Sequence, residues 1–324
     1  MTIFSAARNL SMPTRKTGLH TKYLHLLTIL TLVLPVTHLR AGDRNKEAVV
    51  SMAHIIEKAA STEPTVQGDV VRIEWSREDV EVTVDGMPLP PTAGLGSWAA
   101  FKPAGDGAMV MGDTVVFQDE VAPAMHAAFA HGLEVTALHN HFFYDQPKVY
   151  FMHISGHGDF KELASDVKAV WDSIKQVRED HSQPVEGFRG PMPKPGGKIS
   201  AADIEEITGL EAEQKPGGVV KVSTARGGAM HGIKIGGAMG LTSWAAFVGS
   251  DALASMDGDF IMTAAEVQPV LRALRAANIY IVALHNHMMG EKPTFYFTHF
   301  WGKGSAMALA RGFKAAMQAQ AKTQ

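Results

Sequence analysis

GLGSWAAF at residues 94–101 returns as GLTSWAAF at 240–247, and ALHNH at 137–141 returns unchanged at 283–287. Both pairs are 146 residues apart, and at that offset residues 94–159 align with 240–305 without a gap, giving 26 identities in 66 positions. Self-similarity of this kind marks a duplicated structural unit. Upstream, GDVVRIEW from Gly68 matches GGVVKVST from Gly217 only after a gap is admitted. The chain of 324 residues is therefore expected to hold repeat 1 at 45–180 and repeat 2 at 198–322, joined by a Pro- and Gly-rich linker at 181–197.

Each unit has the same expected order of elements. A helix (47–60; 201–208) precedes β-prone runs at 70–75 and 80–84, the latter ending in the Asp85-Gly86 turn signal. The SWAAF strand follows, then a helix (120–130; 264–277) with Pro123 or Pro269 near its first turn. Two strands next flank a loop, reading LEVTALHNH, FFYDQP, KVYFMHISG in repeat 1 and IYIVALHNH, MMGEKP, TFYFTHFWG in repeat 2. A long helix (160–179; 305–321) closes the unit. Strands and helices do not alternate strictly, which points to an α+β fold: two tandem homologous repeats, each a largely antiparallel sheet with helices packed on one face. Whether the copies form two bodies or one is open at this level.

Smaller expectations follow from spacing. The repeated Trp98 and Trp244 are expected in the core. Tyr150 and Tyr296, three residues from His153 and His299, should face the other side of their strand. Met307, Leu309, Phe313 and Met317 have the spacing of a core-packing helix face. The Gly-rich run 227–241 carries neither a Walker lysine pattern nor a dinucleotide fingerprint and reads as a flexible hairpin.

Composition narrows the function. A net charge of −3 with no dominant basic tract argues against a nucleic-acid binder. Zero Cys excludes disulfides, thiolate metal sites and cysteine nucleophiles, so a metal must sit on His, Asp, Glu or backbone oxygen. Residues 1–41 hold Arg8, Arg15, Lys16, Lys22 and Arg40 and no acidic residue, and they include the apolar run LLTILTLVLPV at 26–36. That is the layout of a signal peptide, with cleavage expected after Ala41 and with Met1 or Met12 as the start. Eleven residues at the helical rise cover roughly 16 Å, half a bilayer core, so no stable membrane insertion is expected once the signal is removed. The expected location is periplasmic or extracellular.

The histidines carry the chemistry. His139, His141 and His153 recur as His285, His287 and His299, whereas His126, His131 and His157 face Arg272, Ala277 and Lys303 in the other copy. Asp113/Asp259, Glu120/Glu266 and Asp145/Glu291 also recur as acids. Residues two apart on a strand share a face, so His139 and His141 should project together with Val135 and Ala137 behind them. Two such imidazoles and a third from a neighbouring strand make the three-ligand set of a catalytic zinc site. Asp145 or Glu291, in the following loop, is the expected ligand, orienting group or general base. A tight hairpin would set His153 opposite Thr136, about 10 Å along from His139, so a shared metal requires a bulge or a curled loop. The competing reading makes HNH a polar strand end and His153 an ordinary sheet histidine. The extra His157 favours repeat 1 as the working copy.

The motifs GLxSWAAF, MGD, DEVxPAM, GLEVTALHNHFF and MHISGHGD, with EVQPVLRALR, ALHNHM and HFWGKG in the second half, resemble the LppY/LpqO family across nearly all the chain beyond Arg44. The resemblance implies a tandemly duplicated, exported bacterial protein and supplies no established reaction. That family's names denote lipoproteins, but this chain has no Cys to acylate. The order His-x-His followed by a third His is also similar to that of acetolactate decarboxylase, a zinc lyase. The expected function is thus a zinc-dependent hydrolase or lyase acting on a small-molecule or cell-envelope ligand. The alternative is a non-catalytic envelope module that binds a small polar ligand or wall component through Asn, His and Trp.

Overall fold

Each element expected from the repeat occurs twice in the computed structural model, which describes residues 41–323. The expected signal segment lies outside the described residues apart from Ala41, where the first helix opens. Repeat 1 contains α1 (Ala41–Ala60), β1 (Thr65–Gln67), β2 (Val70–Ser76), β3 (Thr83–Val84), β4 (Met87–Pro88), β5 (Gly96–Ala104) and β6 (Gly107–Phe117). It continues through α2 (Val121–Ala130), β7 (Glu134–His139), β8 (Asp145–Gln146), β9 (Val149–Gly158) and α3 (Phe160–Asp180). Repeat 2 contains α4 (Ala201–Thr208), β10 (Ala212–Lys215), β11 (Val219–Ala225), β12 (Gly228–Met230), β13 (Ile233–Ile235), β14 (Thr242–Gly249) and β15 (Ala254–Met262). It ends with α5 (Ala264–Ala276), β16 (Tyr280–His285), β17 (Glu291–Lys292), β18 (Tyr296–Gly304) and α6 (Ala306–Ala321).

Twelve strands form one sheet in the order β1-β2-β5-β6-β9-β7-β16-β18-β15-β14-β11-β10, with every neighbouring pair antiparallel. The second half is the first read backwards. The repeats are therefore related by a pseudo-twofold axis between β7 and β16, where Leu138 pairs with Leu284. The two copies are one continuous body, because the inner edge strand of each pairs with that of the other at Leu138 and Leu284. Side chains reinforce the seam. The Gln268 amide accepts from Val135 N at 3.1 Å and donates to Val135 O at 2.8 Å, and Arg272 donates to Phe129 O at 2.7 Å.

Strand alternation gives the sheet two unlike faces. One face carries the main core, in which Val71, Ile73, Phe101, Val110, Met152 and Ile154, with their repeat 2 counterparts, meet the buried faces of the helices. Tyr150 and Tyr296 pack on this side, opposite the histidines, as their spacing predicts. The helices start where local chemistry satisfies their first amides. Asp159 accepts from Lys161 N and Glu162 N ahead of α3, and Thr263 with Glu266 forms a capping box ahead of α5.

The other face carries two small clusters, each roofed by a hairpin. In repeat 1, β3 and β4 turn at Asp85-Gly86, both in the left-handed region, and β3 pairs with β8 over Val80, Val82, Leu95, Val115, Phe117, Val149 and Phe151. In repeat 2, β12 and β13 turn at His231-Gly232 and β12 pairs with β17 over Ile235, Leu241, Ile261, Phe295 and Phe297.

Three expectations are corrected. Only residues 83–84 of the run 80–84 form a strand, because Val80 and Val82 are taken up by the small cluster beneath the hairpin. Met307 is 40% exposed, while Leu309 and Phe313 carry the core face of α6 and Met317 packs at its edge. Trp98 and Trp244 are half-buried and lie on the face away from the helices, where Arg72 and Lys221 sit 4.3 and 4.4 Å from their ring centroids.

Candidate metal centre

A β-bulge sets the histidines. In β7 the register against β9 shifts between Val135 and Ala137, and in β16 the register against β18 shifts between Ile281 and Ala283. The extra residue, Thr136 or Val282, breaks the alternation. Val135 and Leu138 both enter the helix-side core, while Ala137 and His139 face the other way. This corrects the expectation that Val135 stands behind the histidines on their own face. The same bulge places His153 opposite Ala137 rather than Thr136, one residue nearer His139. His139 pairs with Phe151, so His153 is its diagonal neighbour, within reach of a ring-bearing side chain.

The third imidazole comes from beyond the strand. β7 ends at His139 and β16 at His285, so His141 and His287 lie in the loops that follow and share a face with their neighbours by loop conformation. Each ring is held flat against a phenylalanine of the next strand. The His141–Phe151 and His287–Phe297 centroids are 3.3 and 3.4 Å apart at 6°.

The rings converge in both copies. His139 Nε2 and His153 Nε2 are 3.0 Å apart, and the centroids of His141 and His153 each lie 5.1 Å from that of His139. In repeat 2 the corresponding centroids lie 5.0 Å from that of His285. A fourth group completes each set. Asp113, directly across the ladder from His153, brings Oδ1 to 3.8 Å from His153 Nε2, and Asp259, across from His299, brings Oδ2 to 3.5 Å from His287 Nε2. Asp259, His285, His287 and His299 each offer a ligand atom, all within 4.8 Å of one another. This cluster could hold a metal ion.

The donor chemistry fits a small divalent cation. Two nitrogens bound to one zinc at 2.0–2.1 Å in tetrahedral geometry stand about 3.3 Å apart, close to the spacing of His139 and His153. Asp113 Oδ1 and His285 Nε2 are buried and have no hydrogen-bond partner, whereas buried polar atoms are nearly always paired. The far ring nitrogens are oriented as ligating histidines require. Nδ1 of His139 and of His285 lies 3.4 and 3.3 Å from the carbonyls of Asn140 and Asn286, and His299 Nδ1 lies 3.4 Å from Gly258 O. An Nδ1–H donated there leaves Nε2 facing the cluster.

Electrostatics favour ligand-competent imidazoles. Burial, reinforced by the neighbouring His139 and His153 imidazoles against an opposing pull from Asp113, lowers the pKa of His141 below the usual histidine value. Burial and the His285 and His299 imidazoles do the same to His287. Burial raises the Asp259 carboxyl above the usual range, against the pull of His299 and His285.

Asp145 and Glu291 occupy a different place. Asp145 is buried and accepts from Val149 N at 2.7 Å and from Lys148 Nζ at 2.9 Å. Glu291 is buried and accepts from Phe295 N at 2.8 Å, and its Oε2 has no hydrogen-bond partner. Each carboxylate closes the loop that follows His141 or His287, and no hydrogen bond or ion pair joins it to the trio among the described residues. Glu120 and Glu266, the other recurring acids, are structural. Glu120 takes both terminal nitrogens of the fully buried Arg77 at 2.8 and 2.9 Å, and Glu266 pairs with Arg226. Lys303, which stands where repeat 1 has His157, donates to Phe188 O and Gly190 O and so ties β18 to the linker. The acids that reach the histidines, Asp113 and Asp259, had a signal in the sequence, since both recur at the repeat offset.

No curated protein matches the chain. Among solved structures, the trimeric bacterial microcompartment shell protein PduB matches at 11% identity, covering 79% of this chain and 88% of its own, with a TM-score of 0.19. EtuB from Clostridium kluyveri matches at 13% identity, covering 80% and 89%, with a TM-score of 0.20. A family model described as Domain of Unknown Function (DUF1259) matches residues 54–173 and 202–319, one match in each repeat, and the chain belongs to that family.

Proposed function

We propose that this is an exported, LppY/LpqO-like protein that binds zinc in each repeat, on Asp113, His139, His141 and His153 and on Asp259, His285, His287 and His299, and uses it as a hydrolase or lyase. The observation that carries the reading is the convergence of three imidazoles and a carboxylate in repeat 2, with all four ligand atoms within 4.8 Å. Bound zinc supplies Lewis acidity, polarising a carbonyl or lowering the pKa of water. The chain's own residues hold and orient the ligands. Phe151 and Phe297 fix the rings of His141 and His287, the Asn140, Asn286 and Gly258 carbonyls select the tautomers, and Asp145 and Glu291 brace the loops. The export reading rests on the basic, apolar leader in the sequence. Among the described residues no helix is long and apolar enough to cross a membrane.

The second reading, a non-catalytic envelope module for a small polar or wall-derived ligand, is favoured by the openness of the face, where His141, His287 and the two half-buried tryptophans are accessible. Metal analysis of protein purified without a His tag separates the two. Stoichiometric zinc that disappears in His285→Ala plus His287→Ala, together with His139→Ala plus His141→Ala, supports the metalloenzyme. No stoichiometric zinc, manganese or iron sinks it.

A further inference from the structure

The duplication supplies an internal control for the loop that follows His141 and His287. At the repeat offset, Phe143-Tyr144 faces Met289-Gly290. The chain takes the left-handed conformation at the second position of both pairs, with φ 59° at Tyr144 and 88° at Gly290. Glycine adopts that conformation at no steric cost, but a bulky aromatic residue does so against its preference. Strain of this kind is usually repaid by packing. Tyr144 gains none, being 77% exposed beside Phe143 at 80%.

The backbone that presents the pair is held. Asn140 Nδ2 donates to Phe142 O at 3.0 Å, Asp85 N donates to Tyr144 O at 3.2 Å, and Phe142 packs into the small cluster under the hairpin. Tyr144 is three residues from His141, so the two Cα atoms are at most about 11 Å apart. Two aromatic residues thus stand on a braced loop whose Tyr144 Cα is within about 11 Å of that of His141, one of them in an unfavourable conformation and both largely exposed. Residues kept in sparsely populated backbone regions cluster at ligand-binding sites.

We propose that Phe143 and Tyr144 form the lip that recognises the ring of a ring-bearing substrate, aromatic or sugar, in repeat 1, and that Met289-Gly290 leaves the repeat 2 site without it. This rests on the metal reading above and names the substrate class for one of its two sites. The ring would stack on the exposed aromatics while the reacting group faces the His139, His141, His153 and Asp113 cluster.

The test uses the full chain loaded with zinc and two metal-binding probes of unequal shape, benzohydroxamate and acetohydroxamate, titrated calorimetrically. To isolate repeat 1, the background carries His285→Ala plus His287→Ala. The expected result is at least about fivefold tighter binding of benzohydroxamate, an advantage lost in Phe143→Ser plus Tyr144→Gly while acetohydroxamate affinity, zinc content and Tm hold, since glycine suits position 144. Equal affinities for the two probes, or an advantage that survives the double substitution, overturn the lip and leave the metal site standing. A fall in Tm of several degrees shows that the pair is structural and also overturns it. Failure of both probes to bind, with no zinc retained, sinks the metal reading and the lip with it.

Discussion

The candidate metal centre depends on a few atoms whose alternatives are poor. Asp113 Oδ1 and His285 Nε2 are buried without a hydrogen-bond partner, and leaving such atoms unsatisfied costs on the order of 1–3 kcal/mol each. Asp113→Asn and Asp259→Asn keep the shape and remove the charge. Each is expected to weaken zinc binding at its own repeat by more than the 10–100-fold typical of an outer-shell partner, as read by competition with a chelator. Asp145→Asn and Glu291→Asn, which alter loop closure rather than the cluster, should stay below that range. The depressed His141 and His287 pKa values fix a sign for pH. Their unfolded value is about 6.5 and their folded value lies lower, so between the two the unfolded chain binds more protons. The stability they contribute is present above about pH 6.5 and is lost as pH falls through the folded values. Metal-free protein should therefore show a falling Tm from pH 7 to pH 5, and zinc affinity should fall in the same window as imidazoles protonate. A flat Tm profile across it would contradict the assignment.

The elements carry what pattern alone could not. The helices, the SWAAF strands and the antiparallel arrangement were readable because apolar spacing and turn residues repeat twice in one chain. The bulges at Thr136 and Val282 were not, because one extra residue leaves no mark on an already irregular alternation, and yet it is the bulge that swings Val135 into the core and brings His153 within reach of His139. The role of Asp113 was half legible. Its recurrence was visible, but its place across the ladder from His153 depends on β6 pairing with β9, a long-range choice. Tryptophan misled for a related reason: burial follows strand parity, and parity at Trp98 is set by the register of β5 on β6. The recurring Glu120 is the clearest structural acid, accepting from fully buried Arg77 and from Phe117 N. Glu120→Ala leaves Arg77 with Asp79 as its remaining carboxylate and takes a partner from Arg178, and it is expected to cost about 1.5–3 kcal/mol, measured by denaturant unfolding, with zinc stoichiometry of the folded fraction unchanged. A loss below about 1 kcal/mol would show that Asp79 alone satisfies the arginine.

For the molecule as a whole, duplication explains the shape of the sheet. Each repeat on its own would end in an exposed edge at β7 or β16, and the pseudo-twofold pairing of those strands covers both. Residues 198–324 expressed alone should therefore self-associate, the β16 edge pairing with that of a second copy, and light scattering should give a dimer or larger. A stable monomer would mean that the seam contributes little. The pairing also sets both histidine clusters on the same face of one sheet, three strand spacings apart between β9 and β18, or about 14 Å. A metal in each repeat, as proposed, fixes a stoichiometry. Elemental analysis of untagged full-length protein after dialysis against limiting free zinc is expected to give two zinc ions per chain, one after His139→Ala plus His141→Ala, and none when His285→Ala plus His287→Ala is added. Zinc that stays below 0.1 per chain in the unsubstituted protein, or that survives all four substitutions, would contradict the account.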